Sequence, residues 1–403
     1  MINSIPIPVR LALYSVALFA LMGVHLPYWP VWLEAQGISP EGIGMLVALG
    51  YFVRTFASPV FSFLADKTGD RRMPLRWLTL ASFFGFALFG FTQNFLGIAI
   101  VTSITLGAFS PLMPLKESMI MGYVALKGYD YGRIRLWGSV SFIVFSLAGG
   151  LILARWGSEG VWASIVLFAG VAAAMAWILP PDPRKGATTK YGSTLKLSSM
   201  GAVLRNPVFV LFLIATSTIS AGHSVYYVFG TLNWQSLGYT DGFIGTLWGI
   251  GVAAEIALFA FSGAVIRHIS PTRLILLGAG AGILRWWLTA LDPHWGWLIP
   301  LQCLHGLTFG ATHLGAMHFI VRAVPIQLAA TAQGLYAAVA GGLIMGMVML
   351  GVGPLYESFG AFSYLAMVAL CALGLGAGLW LHHLWDGTFM NVRLTHDPEP
   401  QDN

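Results

Sequence analysis

Charge is what this sequence lacks. Only 9% of its 403 residues are Asp, Glu, Lys or Arg, 57% are hydrophobic, and the mean hydropathy is +0.75. A soluble domain carries roughly a quarter charged residues, so this chain cannot cover a water-facing surface and reads as an integral membrane protein. Cysteine is also scarce. Cys303 and Cys371 both fall in apolar segments, where a free Cys behaves as a small hydrophobe; core positions are expected rather than a disulfide. A phosphate-cradling P-loop is missing, which argues against an ATP-driven pump. No acidic cluster carries His at metal-ligand spacing, so no metal and no cofactor are expected. The first apolar run is full length and has no small-residue cleavage site, so no cleavable signal peptide is expected.

What is present is apolar length. A spanning helix needs about 20 apolar residues, and the chain reads as twelve spans at 8–33, 40–65, 74–94, 97–124, 132–155, 160–180, 206–232, 242–266, 272–291, 297–322, 328–355 and 361–382. With the N-terminus inside, the basic residues fall in or beside cytoplasmic loops. They are Arg10; Lys67, Arg71, Arg72 and Arg76; Lys127, Arg133 and Arg135; Arg184, Lys185, Lys190, Lys196 and Arg205; Arg267 and Arg273; Arg322; and Arg393. Only Arg155 falls in an outer loop. This is the positive-inside pattern. It accounts for the formal net charge of +5 without a nucleic-acid partner. It also puts both termini in the cytoplasm of a bacterial cell, with the chain in the inner membrane.

Connections are short except at 181–205, which is Pro-rich, basic and polar. The expected organisation is an N-terminal six-helix bundle at 1–180, a cytoplasmic linker at 181–205, a C-terminal six-helix bundle at 206–385 and a polar tail at 386–403. The halves repeat. Gly37, Ser39, Ile43, Gly44, Leu46 and Gly50 have the same spacing as Gly238, Thr240, Ile244, Gly245, Leu247 and Gly251. In that register Arg54, midway along the second span, falls opposite Glu255, midway along the eighth. A charge at bilayer depth costs at least about 2.5 kcal/mol, so both are expected to face an interior cavity. Lys116 and Glu117 close one span while Arg133 and Arg135 open the next, and Glu117 is expected to meet Arg135. Lys116 either joins the cavity or snorkels to the headgroups.

Aromatic and polar residues cluster at the same depth. His223, Tyr226 and Tyr227 stand at i, i+3 and i+4 and share a helix face. His25 and Tyr28 lie beside Pro27 and Pro30, which bend the first span. Gln333 and Tyr336 sit in the eleventh span. Trp29, Trp32 and Trp234 have the placement of interfacial anchors; Trp248 is mid-span.

The segment Asp66-Lys67-Thr68-Gly69-Asp70-Arg71-Arg72 resembles the signature between the second and third helices of major facilitator transporters, with Ser62 where the leading glycine would stand. The resemblance implies a charge cluster, formed by Asp66, Lys67, Gly69, Arg71 and Arg72, that latches the cytoplasmic side. Pro27-Tyr28-Trp29-Pro30-Val31-Trp32, Asp66-Lys67 and Gly132-Arg133-Ile134-Arg135 are similar to the lactose permease branch of oligosaccharide:proton symporters. The second half resembles the phenylpropionic acid permease family more closely, through His223 to Tyr227, Asn233-Trp234-Gln235, Leu247-Trp248-Gly249, Val252 to Glu255, Leu284-Arg285-Trp286, Leu304-His305-Gly306 and Ala311-Thr312-His313-Leu314. The resemblance implies that Glu117 and Arg135 bind substrate and that Arg285 and His305 belong to the proton-coupling region. It departs at Thr308, where lactose permease carries its proton-bearing glutamate, and at Gln302, where it has a lysine.

The expectation is therefore an all-α polytopic protein of the major facilitator fold, about twelve transmembrane helices in two six-helix pseudo-symmetric bundles, and not an enzyme. It would act as a monomer in the lipid bilayer, carrying a small aromatic acid with protons by alternating access. Substrate would be bound among His25, Tyr28, Arg54, Glu117, Arg135, His223, Tyr226, Tyr227, Trp248, Arg285, His305 and Gln333. The proton would be carried by Glu255 first, then His305 or His313. A nucleoside or sugar symporter and a drug exporter are the alternatives. A non-transporting sensor would need a folded output domain, and neither linker nor tail supplies one.

Overall fold

A computed structural model describes residues 5–92, 94–129, 131–183, 201, 203–325 and 328–390, and these are helical almost throughout. The first half runs α1 (Ile7–Ala35), α2 (Pro40–Thr68), α3 (Arg72–Leu88), α4 (Phe95–Phe109), α5 (Leu112–Lys127) and α6 (Tyr131–Trp177). The second runs α7 (Pro207–Ala221), α8 (Ser224–Ser236), α9 (Asp241–Ala260), α10 (Ser262–His268), α11 (Pro271–Thr289), α12 (Trp295–Cys303), α13 (Thr312–Ala323), α14 (Ala329–Ala338), α15 (Ile344–Phe359) and α16 (Tyr364–Leu384). Among the described residues, sixteen α-helices make twelve passages because several spans are broken. Pro111 separates α4 from α5 within one passage. In the opposite sense, α6 holds two passages that reverse at Gly157, whose φ of 66° suits a residue without Cβ.

Local chemistry sets the helix starts. Asn94 caps α4 by accepting from Gly97 N at 2.8 Å, and Asn206 caps α7 by accepting from Val208 N at 3.0 Å, with Pro207 at the first helical position. Two π-helical segments interrupt the second half, at Gly306–Ala311 between α12 and α13 and at Val339–Leu343 between α14 and α15. Such segments mark functional sites more often than chance allows.

The segment 184–200, most of the linker, and the tail 391–403 lie outside the described residues. The bundles pack by close approach at the end away from the basic loops. Gly44 of α2 faces the backbone of Met349 and Gly353 on α15, and Gly245 of α9 faces the Ser146 carbonyl on α6 and the Tyr28 hydroxyl. Thr231 on α8 donates to the Pro27 carbonyl on α1 at 2.6 Å. These contacts seal that end.

Two expectations need correction. Trp29, Trp32 and Trp234 are buried, not interfacial anchors. Trp29 stacks on Trp32 with ring centroids 4.6 Å apart, and all three sit in the core cluster where the halves meet. Cys371 is buried as expected, but Cys303 is exposed on α12.

Candidate substrate site

Below the seal lies a cavity of about 300 Å³, bounded by α1, α2, the end of α3, α4, α5 and the Tyr227 ring of α8. Aromatic rings from several helices stand in its wall. His25 stacks on Trp29 at 5.3 Å and meets the edge of Phe86 at 5.5 Å; Trp29 packs edge-on against Phe89 at 4.7 Å. Tyr51, Met22, Met113 and Thr102 complete the lining. Into this space α2 projects Arg54, an exposed side chain that makes no hydrogen bond or ion pair with any described residue.

Behind Tyr227 the second half supplies a denser layer. Tyr227 stacks on His223 at 5.6 Å, and Tyr226 stacks on Trp248 at 4.4 Å. Arg285 is fully buried, and its guanidinium lies over the rings of Trp286 at 4.4 Å and Tyr226 at 4.9 Å. Its terminal nitrogens donate to neutral acceptors, Nη2 to Gln302 Oε1 at 2.9 Å and Nη1 to Thr308 Oγ1 at 3.1 Å and His305 Nδ1 at 3.2 Å, while Nε is buried without a hydrogen-bond partner among the described residues. The two positions where the lactose permease resemblance fails, Gln302 and Thr308, are the ones that hold this arginine.

The proton positions follow from donor counting. Guanidinium can only donate, so His305 Nδ1 accepts and its proton sits on Nε2, which points to Glu255 Oε2 at 3.8 Å. Carbonyls can only accept, so His223 Nδ1 donates to the Ile219 and Ser220 carbonyls, both at 3.2 Å. In the neutral ring Nε2 then accepts the Thr308 hydroxyl proton at 3.0 Å. Both imidazoles are single-proton rings in this arrangement. Protonating His305 would remove an acceptor from Arg285 and set two cations side by side. Among the described residues no carboxylate pairs with Arg285, and Glu255 pairs with neither Arg285 nor Arg54. His313 completes a ladder, stacking on Phe309 at 5.9 Å as Phe309 stacks on His305 at 5.4 Å.

A third group sits toward the basic end. Glu117 Oε1 lies 3.0 Å from Lys116 Nζ and 3.7 Å from Arg135 Nε, and Oε2 accepts from the Tyr131 hydroxyl at 3.0 Å. Lys116 is 1% exposed, so it does not snorkel; its ammonium sits 4.6 Å from the Phe19 ring, which Arg135 also covers at 4.5 Å. Arg135 is also the charge that faces Glu255 from the first half. Two carboxylates thus stand among four cations, Arg54, Lys116, Arg135 and Arg285, and an anionic guest would reduce that excess.

Of the residues singled out in the sequence, His25, Arg54 and Tyr227 line the cavity directly. Tyr226, Trp248, His223, Arg285 and His305 form the layer behind. Tyr28 does not reach the cavity: its ring packs on Gly149 and its hydroxyl donates to the Ser146 carbonyl at 2.8 Å. Gln333 is exposed on α14, away from the lining. Sequence reasoning missed Tyr51, Phe86, Phe89 and Thr102, which look like ordinary apolar-face residues until the bundle is closed.

At the basic end, Gly69 takes φ +66° and lets α2 turn into α3. The side chains of Asp66 and Lys67 lie outside the described residues. Arg71 is gripped by Asp182, an acid not singled out by the sequence. Asp182 Oδ2 accepts from the Arg71 backbone N at 2.8 Å and from Nη1 at 3.3 Å, while Nε reaches Ser118 at 2.9 Å. Arg72 N donates to Asp70 at 2.9 Å. Both partners of the Arg71–Asp182 pair are buried, so breaking it takes an opposite charge away from a desolvated group. Asp182→Ala is expected to destabilise the protein by about 3 kcal/mol, read as a lower Tm in detergent. Arg71→Met with Asp182→Leu should recover most of that loss; a single-variant Tm equal to wild type would show that the pair is not a clamp.

A twelve-passage bundle with two pseudo-symmetric halves, a sealed end and a cavity beside buried charges is the arrangement of a membrane transporter. The chain belongs to the MFS_1 like family, whose profile matches residues 9–366, and so to the major facilitator transporters; it is not an enzyme. It is 31% identical over 367 residues to the "Probable 3-phenylpropionic acid transporter" of Escherichia coli (strain K12), covering 90% of this chain and 95% of that one. It is 29% identical to the maltose permease of Geobacillus stearothermophilus, covering 90% and 91%. Among solved structures, the nucleoside transporter NupG superposes with a TM-score of 0.81 over 94% of this chain and 99% of that one. At 16% identity that likeness establishes the fold alone.

Proposed function

We propose that the chain is a proton-coupled symporter of a small aromatic carboxylate, working as a monomer in the bacterial inner membrane with both termini cytoplasmic. The rocking bodies would be residues 1–180 and 206–385. One observation carries the reading: Arg54, without an ion pair or hydrogen bond to any described residue, stands in a cavity walled by His25, Trp29, Phe86, Phe89 and Tyr227. A cation among aromatic faces fits a guest with an apolar ring and one anionic end. The 3-phenylpropionic acid named for the E. coli relative has that shape.

Glu255 carries the proton in this reading. Its Oε2 lies 3.8 Å from His305 Nε2, and Arg135 of the first half is the cation that acts on it. Protonation would remove the anion that faces the His305 Nε2 proton and acts on Arg135, and let the loaded bundle rock. Glu117, held by Lys116, Arg135 and Tyr131, keeps Arg135 placed; Asp66, Lys67 and Arg72 join Arg71 in gating the basic end.

The test is uptake into proteoliposomes under an imposed inward pH gradient, with 3-phenylpropionate, other aromatic acids, nucleosides and sugars as candidates. Aromatic acids alone should accumulate. Accumulation of nucleosides or sugars, with acids excluded, would overturn the reading. In Glu255→Gln the expected outcome is loss of gradient-driven accumulation while counterflow of labelled against unlabelled acid continues. Undiminished accumulation in that variant would move the proton elsewhere.

A further inference from the structure

The outer surface of the second half carries a groove separate from the substrate cavity. It has a volume of about 650 Å³ and runs along α11, with one wall from the end of α12 and the π segment that follows. Gly280 and Ala281 form part of its lining, Leu277, Leu284, Leu304 and Leu307 flank it, and Arg273 stands at its basic end. Leu277, Leu284 and Arg273 are exposed, so the groove faces the surrounding bilayer.

Two features select its occupant. The rise along α11 from Arg273 to Leu284 is about 16 Å, half the roughly 30 Å hydrocarbon thickness. The groove therefore spans one leaflet, with its cation where that leaflet's headgroups lie. Arg273 has no ion pair with any described residue, so its charge is available to a phosphate. We infer that the groove holds an acyl chain of an anionic phospholipid, with the lipid phosphate on Arg273. The groove is apolar along its length and charged only at the headgroup level, which matches the polarity of a lipid and not that of a soluble ligand or a peptide.

The position has a consequence for the interior. Leu304 precedes His305, and Leu307 lies in the π segment that also carries Thr308. These neighbours hold Arg285. An acyl chain packed on Leu304 and Leu307 buttresses that segment from the membrane side. The inference does not depend on which substrate is carried.

Native mass spectrometry of the purified full chain, released from phosphatidylglycerol and phosphatidylcholine mixtures, tests it. Wild type should retain phosphatidylglycerol in preference. Arg273→Gln should cut that preference about fivefold, the worth of one basic residue near an anionic surface. Gly280→Trp should abolish retention of either lipid at this site. A Cβ at that position meets no atom within 4 Å, so this variant should fold. Its Tm in phosphatidylcholine should match wild type, while the Tm rise that phosphatidylglycerol gives wild type should vanish in both variants. Equal retention of the two lipids by wild type, or an unchanged phosphatidylglycerol preference and Tm rise in both variants, would overturn the proposal.

Discussion

Gly245→Trp is expected to stop transport almost completely while leaving a folded, purifiable protein. A Cβ alone at this position would lie 2.6 Å from the Ser146 carbonyl and 2.8 Å from the Tyr28 hydroxyl. These are backbone and fully buried atoms with nowhere to go. Gly44 is its counterpart in the first half, where a Cβ would meet Gly353 N and Met349 O at 3.0 Å each. An indole at either place wedges the sealed end open. Overpacking costs typically 1–3 kcal/mol for added methylenes, and an indole far exceeds that. About 5.5 kcal/mol reverses a 99:1 population. The double variant Gly44→Trp/Gly245→Trp should therefore reside in the state open at that end, with uptake below about 1% of wild type. Substrate binding should survive, because neither glycine reaches the charged groups. A thiol placed at the sealed end should become reactive to a bulky maleimide. Unimpaired uptake in the double variant would show that the seal does not form during the cycle.

Arg54→Gln is expected to weaken transport of the acid about 100-fold or more. Truncating one partner of a desolvated charge pair costs about 2–5 kcal/mol, and 2.8 kcal/mol corresponds to about a hundredfold. The matching amide, 3-phenylpropionamide, should be handled equally by wild type and variant, because no charge is lost in that pairing. Arg54→Lys should recover part of the acid activity: it restores the charge but not the planar fork. Equal losses for acid and amide would mean that Arg54 holds the cavity's shape rather than the guest.

The fold was legible because the constraints on it are strong. Apolar runs of bilayer length, a basic bias on alternate loops and the repeat linking Gly44 to Gly245 admit few arrangements. Those two glycines proved to be where the halves touch. The charged groups were legible for a related reason: Arg54, Glu117, Arg135, Glu255 and Arg285 are too costly at depth to be accidental. Their partners were harder to read. Sequence alone leaves Arg285 and Arg54 both open as ion-pair partners of Glu255, yet Gln302, Thr308 and His305 surround Arg285 and His305 stands between it and Glu255. Asp182 looked like part of a polar linker, and only the turn after the sixth passage brings it to Arg71. Trp29 resembled an interfacial anchor because position along a span shows depth but not which side faces the cavity. Phe86 and Phe89 escaped for the same reason.

The most direct test of aromatic-acid and proton symport is the pH of a weakly buffered suspension of proteoliposomes when 3-phenylpropionate is added. The expected result is alkalinisation of the medium that tracks uptake, exceeds that of protein-free vesicles, and is lost in Glu255→Gln while exchange persists. Acid entry through the wild-type protein without any accompanying proton movement would contradict it.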